Sequence, residues 1–125
     1  MMKISLFGIK TCDNVRFARK WLETNNIEYV YVDLKTVEIE EIGVDEWLKK
    51  ISWDKLINKK SLTWKSLSND VKTCVVDNDS AKKIIIEYPL IIKRPITVFD
   101  QLIYVGFSEK KYEELFKQKK IEKGH

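Results

Sequence analysis

Histidine and cysteine are nearly missing from this chain of 125 residues, and proline and glycine are scarce. The single histidine is His125, and the two cysteines are Cys12 and Cys74. Two cysteines so far apart do not make the disulfide framework of a small secreted domain. One histidine at the end of the chain supplies neither a zinc set of the Cys/His kind nor a His-dependent catalytic triad. A nucleophile in such a chain is activated by charge and backbone dipoles, not by an imidazole base. No apolar run approaches the ~20 residues of a membrane-spanning helix. Met1-Met2-Lys3 leads straight into a strand-like run, without a secretory signal pattern. The expected location is the cytoplasm.

Arginine is also rare: Arg16, Arg19 and Arg94 are the only three. The net charge of +4 and a pI near 9.0 therefore rest on lysine. Those lysines are spread in pairs or gathered in the tail Lys117-Gln118-Lys119-Lys120 to Lys123, where solvation is the usual purpose. A nucleic-acid reader concentrates its basic residues on one face or along one helix. Nucleic acid is accordingly not expected as a partner, and neither is a membrane. Hydrophobic content of 44% with 34% charged residues is ordinary for a soluble globular protein. The length fits a single domain, 1–125, with a substantial core.

Ile4-Ser5-Leu6-Phe7 is the centre of a strand expected over Met2 to Gly8. The segment from Asp13 to Asn25 then carries Val15, Ala18 and Leu22 at helical spacing, with Phe17 and Trp21 beside them on one broad face. Asn25-Asn26 supplies a C-terminal cap. Ile27 to Val32 is β-branched and aromatic and predicts a second strand, closing at Asp33. Strand, helix and strand with short links make a βαβ unit with parallel pairing.

The middle of the chain is helical. Val44, Trp47, Leu48 and Ile51 share one face, Trp53, Leu56 and Ile57 continue with a second helix, and Trp64 and Leu67 suggest a third short turn. Ser80 is the expected N-cap of a helix whose Ala81, Ile84, Ile85 and Tyr88 point inward. The tryptophans read as packing anchors rather than a ligand box. With no Gly/Pro/Ser-rich linker on either side, about 39–90 reads as a helical insertion. After Pro95, Ile96 to Phe99 and Leu102 to Val105 form a hairpin across Asp100-Gln101. Ser108 caps a last helix with Tyr112, Leu115 and Phe116 inward, and the charged tail beyond is frayed.

Cys12 stands where the first strand gives way to the first helix. Free N–H groups and the macrodipole at a helix N-terminus favour a negative charge and turn a thiol into a nucleophile. A small buried thiol fits the same position, and the residue pattern leaves both readings open.

Several segments together resemble the glutaredoxin-related arsenate reductase (ArsC-like) family, most closely its YffB-like branch. They are Gly8-Ile9-Lys10-Thr11-Cys12-Asp13-Asn14, Leu56-Ile57-Asn58-Lys59-Lys60, Thr63-Trp64, Pro89-Leu90-Ile91-Ile92-Lys93-Arg94-Pro95-Ile96 and Val105-Gly106-Phe107. The resemblance implies an α/β protein of thioredoxin-like fold. Its mixed four-stranded sheet is ordered βαβ…ββα, with the helical insertion between the halves. It implies a cis peptide bond before Pro95 that places Arg94 beside Cys12. A guanidinium there stabilises a thiolate and holds an oxyanion or carboxylate by paired hydrogen bonds; the alternative is a surface cation at a strand start.

By the same resemblance Lys10, Thr11, Asn14 and Arg16 line an anion-binding turn, with Lys60 and Pro95 completing the substrate site. Cys12 then attacks sulfur in a disulfide or arsenic in an arsenate. A small thiol such as glutathione, a co-substrate and not a bound cofactor, resolves the adduct. Val15 stands where the second cysteine of a CxxC pair would be, which argues against a dithiol cycle and against the switch of Spx-type regulators. Cys74 reads as structural or incidental. Arsenate reductases of the family gather three arginines, whereas here only Arg94 has a clear counterpart: the second falls at about Lys60 and the third near the uncharged Gly106-Phe107. That loss of planar forks weakens arsenate more than thiol chemistry. The competing expectation is a non-catalytic, Spx-like regulatory module that binds a protein partner.

Overall fold

The computed structural model describes residues 3–36 and 43–123. The expected strand start at Met2, the first residues of the expected insertion and His125 lie outside the described residues. Strands β1 (Ile4–Gly8), β2 (Val30–Asp33), β3 (Ile96–Phe99) and β4 (Leu102–Val105) form one mixed sheet in the order β2-β1-β3-β4. Helix α1 (Asp13–Thr24) joins β1 to β2, and α7 (Glu109–Lys123) follows β4. Between β2 and β3 stand α2 (Val44–Lys50), α3 (Trp53–Leu56), α4 (Leu62–Ser66), α5 (Asn69–Thr73), α6 (Asn78–Glu87) and a 3-10 turn, Pro89–Ile91. The sheet and the order of its elements are those of the thioredoxin-like plan.

The chain divides into two compact units, one comprising the residues up to Val32 with those from Arg94 onward, the other Asp33–Lys93. In the first unit, pairing of Ile4 with Phe99 and of Leu6 with Thr97 lines up one face of the sheet. Ile4 and Leu6 on that face pack with Ala18, Trp21 and Leu22 of α1 and with Tyr112 and Phe116 of α7. The aromatic rings meet edge-on: Trp21 and Tyr112 are 5.4 Å apart between centroids at 78°, and Phe107 and Tyr112 are 4.8 Å apart at 84°. Such T-shaped contacts match the ring quadrupoles and add to plain burial. One polar pair lies within this core. Thr97 and Tyr112 are fully buried and share a hydroxyl–hydroxyl hydrogen bond of 2.6 Å.

Helix α1 ends where its asparagines predict. Asn26 takes a positive φ of 57°, its N–H donates to the Glu23 carbonyl, and the Ile27 N–H donates to the Leu22 carbonyl over 2.9 Å. That is a Schellman closure, with Ile27 and Leu22 making its hydrophobic contact. Ile27 is therefore spent on the helix exit, and β2 begins at Val30 rather than at Ile27. Phe17, expected on the apolar face of α1, is instead 54% exposed, one step round from Ala18. The hairpin is as expected, with Asp100 at φ 52° in its two-residue link.

In the second unit Trp47 and Trp64 are buried as packing anchors, while Trp53 is half-buried. Helix α2 is tied to α6 by Lys82 on Asp45 at 2.9 Å and by the Asn78 amide on the Leu48 carbonyl. Ser80 is not the N-cap of α6. Asp77 is: its carboxylate accepts the Ser80 N–H while the Ser80 hydroxyl accepts the Asp77 N–H, a reciprocal capping box. Helix α6 also stops one residue short of Tyr88, whose backbone leaves the helical region ahead of Pro89, so Tyr88 faces solvent. Helix α5 has too few apolar residues to show a period and went unpredicted; Ser68 caps it through the Val71 N–H.

Candidate functional site

The register of β1 on β3 decides which loops meet. Phe7 pairs with Ile96, so the C-terminal end of β1 lies beside the N-terminal end of β3. The segment leaving β1, through Cys12, and the segment entering β3, Arg94-Pro95, therefore share one end of the sheet. The far strand joins them there: Val105 pairs with Ile96, and the Gly106 N–H donates to the Pro95 carbonyl over 2.8 Å. The Arg94–Pro95 peptide is cis, as the resemblance implied. Sequence reasoning missed the Gly106 contact. Its signal was a lone glycine between strand and helix, which at φ +94° occupies the region that favours glycine.

Gly8 sets the distance from strand to helix. A Cβ built on it would stand 2.5 Å from a Val15 methyl, so only glycine lets the first turn of α1 come this close to the end of β1. Val15 itself is fully buried. This close joint holds Cys12 as the N-cap of α1, with extended backbone at φ −84° and ψ 126°. Its N–H donates to the Ile9 carbonyl at 3.2 Å and its carbonyl accepts the Arg16 N–H at 3.1 Å. The thiol makes no capping bond, is half-buried and is free. Cys12 thus stands at the end of the helix where N–H groups lack helical partners.

Lys10, Thr11 and Asn14 are exposed around that turn, Arg94 is half-buried and Pro95 is buried. Arg16 is exposed and forms an ion pair with Asp13, one turn back on the same helix. Its charge is thereby partly answered within α1. Lys60 belongs to the other unit, on a turn whose Asn58 carboxamide oxygen accepts the Lys60 N–H over 3.0 Å. Cys74 is exposed in that other unit as well, at the end of α5. Among the described residues no helix is long and apolar enough to cross a membrane, and no group of three His, Cys, Asp or Glu is placed to hold a metal ion.

A profile of the ArsC family matches residues 7–115, a span that takes in the Cys12 turn, the Arg94-Pro95 segment and the start of α7. The chain belongs to the ArsC family. An uncharacterized protein of Haemophilus influenzae is 37% identical over 113 residues, covering 90% of this chain and 98% of its own. Among solved structures a YffB protein superposes with a TM-score of 0.84 at 28% identity, covering 90% of this chain and 97% of its own. An arsenate reductase (ArsC) related protein from Brucella melitensis superposes at 0.71 with 35% identity, covering 92% and 95%. The global transcriptional regulator Spx of Bacillus subtilis is similar at 26% identity, over 85% of this chain and 81% of its own. This ArsC-family chain thus has the fold of arsenate reductase-like proteins, and fold by itself leaves the chemistry to the site.

Proposed function

We propose that this ArsC-family protein is a thiol-dependent reductase that works through one nucleophilic cysteine, Cys12, with glutathione as the outside thiol. One observation carries the reading. A free, half-buried cysteine occupies the N-cap position of α1 at the end of the sheet where Arg94 and cis-Pro95 enter, and position 15 holds a buried valine, not a second cysteine. The Cys12 thiolate attacks one sulfur of a disulfide. The new S–S bond forms as the old one breaks, and the other sulfur leaves as a thiolate that solvent protonates. Glutathione then attacks the adduct, forms a disulfide with the substrate-derived sulfur and releases Cys12 as the thiolate. The glutathione sulfur is oxidised and the departing substrate sulfur is reduced, so the electrons balance without a second protein cysteine.

Arg94 supports the thiolate and a substrate carboxylate or oxyanion, and exposed Lys10, Thr11 and Asn14 admit the anion at the turn. Pro95 shapes the floor of the site, and Arg16 adds positive charge. A disulfide is favoured over arsenate, because Gly106-Phe107 offer no cation beside Arg94 where an oxyanion would need a second planar fork. The same reading locates the protein in the cytoplasm, where glutathione keeps thiols reduced and would resupply the outside thiol. Mass spectrometry after incubation with oxidised glutathione tests the assignment. A single glutathione adduct on Cys12, absent from Cys12→Ser, is expected; an adduct confined to Cys74 would overturn it.

The likeness to Spx favours a second reading, a non-catalytic regulatory module that binds a protein partner. Alkylation rates separate the two. A nucleophilic Cys12 reacts with iodoacetamide at neutral pH faster than Cys74, although it is the less exposed of the two. A Cys12 slower than Cys74 would leave only the regulatory module.

A further inference from the structure

Away from Cys12, the second unit carries a groove whose charge is opposite to that of the whole chain. Helices α5 and α6 and the link between them border an open hollow of about 700 Å³. Its walls are the apolar Val71, Val75, Val76 and Ile84, with Cys74 among them. Asp70, Asp77, Asp79 and Glu87 line it too, against Lys83 as the single base. A second hollow of about 460 Å³ continues past the start of α6 to Trp53 and shares Val76, Asp77 and Asp79 with the first. Val76 is 66% exposed at this shared boundary, and Val71 is also exposed.

We propose that this groove docks a segment of a protein partner in which lysine or arginine side chains flank apolar ones. Four carboxylates face one ammonium in a chain of net charge +4, so the groove attracts cations while the molecule as a whole repels them. A purely apolar occupant would cover those carboxylates without pairing them, which is costly. Two hollows joined across an exposed valine suit a chain with successive apolar anchors better than one compact ligand. Asp77 is already committed to capping α6, which leaves Asp70, Asp79 and Glu87 to meet the partner's charge. All three are exposed. The inference does not depend on Cys12 being a nucleophile, since none of the groove residues belongs to that site.

Cys74 reports on occupancy. In the full-length Cys12→Ser variant, alkylation of Cys74 by iodoacetamide is timed against increasing concentrations of a synthetic leucine–lysine amphipathic peptide. A leucine–glutamate peptide of the same length is the control. The leucine–lysine peptide is expected to slow alkylation saturably and the control not to. Replacing the three carboxylates together (Asp70→Asn, Asp79→Asn, Glu87→Gln) should weaken protection roughly tenfold, as expected for several exposed ion pairs acting together. Circular dichroism verifies that the triple variant is folded; if it is not, each single substitution is expected to give a smaller loss in the same direction. Protection indifferent to peptide charge, protection unchanged by the substitutions, or no protection at all would overturn the proposal. Self-association of the chain that disappears in the same variants would assign the groove to a second copy and overturn it equally.

Discussion

Gly8 and Tyr112 are the residues at which one atom matters most. At Gly8 a methyl group would collide with both methyls of Val15, at 2.5 and 2.9 Å. Gly8→Ala should therefore destabilise the protein by about 1–3 kcal/mol, the usual scale for overpacking a tight joint. Adding Val15→Ala should recover part of the loss, read as a non-additive double-mutant cycle in urea unfolding. Two fully additive costs would show that the clash is relieved elsewhere. At Tyr112, removing the hydroxyl leaves the buried Thr97 oxygen unsatisfied. Tyr112→Phe should cost about 1–3 kcal/mol, whereas Tyr112→Phe with Thr97→Val should cost less than the two single changes summed. Tyr112 is legible in the sequence as an inward residue of the last helix, but its hydroxyl partner is not. Thr97 reads as one more β-branched strand residue, and its bond to Tyr112 exists only because β3 and α7 share a core.

Helix ends decide the elements, and here the sequence is informative but easily misread. Asp77 and Ser80 both have N-cap chemistry, and the apolar pattern beginning at Ala81 favours the nearer one. The structure uses both, three residues apart, and so lengthens α6 at its start. Hydrogen bonds from the Ser80 N–H and hydroxyl hold the Asp77 carboxyl below its ordinary value. A depressed carboxyl adds stability that is complete above the unfolded value near 3.8 and is lost as pH falls through the lower, folded one. Asp77→Asn should accordingly flatten the acid limb of stability below about pH 4 relative to the wild type. A limb of identical slope in both proteins would remove Asp77 from that role. The strands themselves were legible because each is short, rich in β-branched or aromatic residues and bounded by turn residues. The exact start of β2 was not, since nothing in Ile27 itself says that it closes a Schellman motif.

Across the whole molecule, the fold followed from the order of elements, and the family from segments far apart in the chain. What stayed hidden is contact between distant residues: the Gly106 clasp on Pro95, the Thr97–Tyr112 pair and the acidic groove. The last contradicts the overall basic balance and is invisible to any count of charges. Buried and half-buried phenols give the molecule a shared alkaline limit. Burial pushes Tyr112 well above the ordinary phenol value of 10.0 and raises Tyr104 and Tyr29 less. A raised phenol is neutral in the folded protein and ionised in the unfolded one above about pH 10, so stability falls as pH climbs past that value. Each such proton contributes about 1.4 kcal/mol per pH unit to the slope. Unfolding in urea at pH 9, 10 and 11 should show wild-type stability falling more steeply than that of Tyr112→Phe; parallel slopes would refute the claim.

The closeness of Gly8 to Val15 also ties the redox chemistry open to this chain to the packing of one joint. Position 15 is where a second thiol would convert one-cysteine chemistry to a dithiol cycle, and it is also the wedge that seats the helix against the strand. A cysteine there is smaller than valine and would loosen the seat beneath Cys12 while supplying its partner. Val15→Cys would therefore add a second thiol next to Cys12 and at the same time leave the joint less tightly filled.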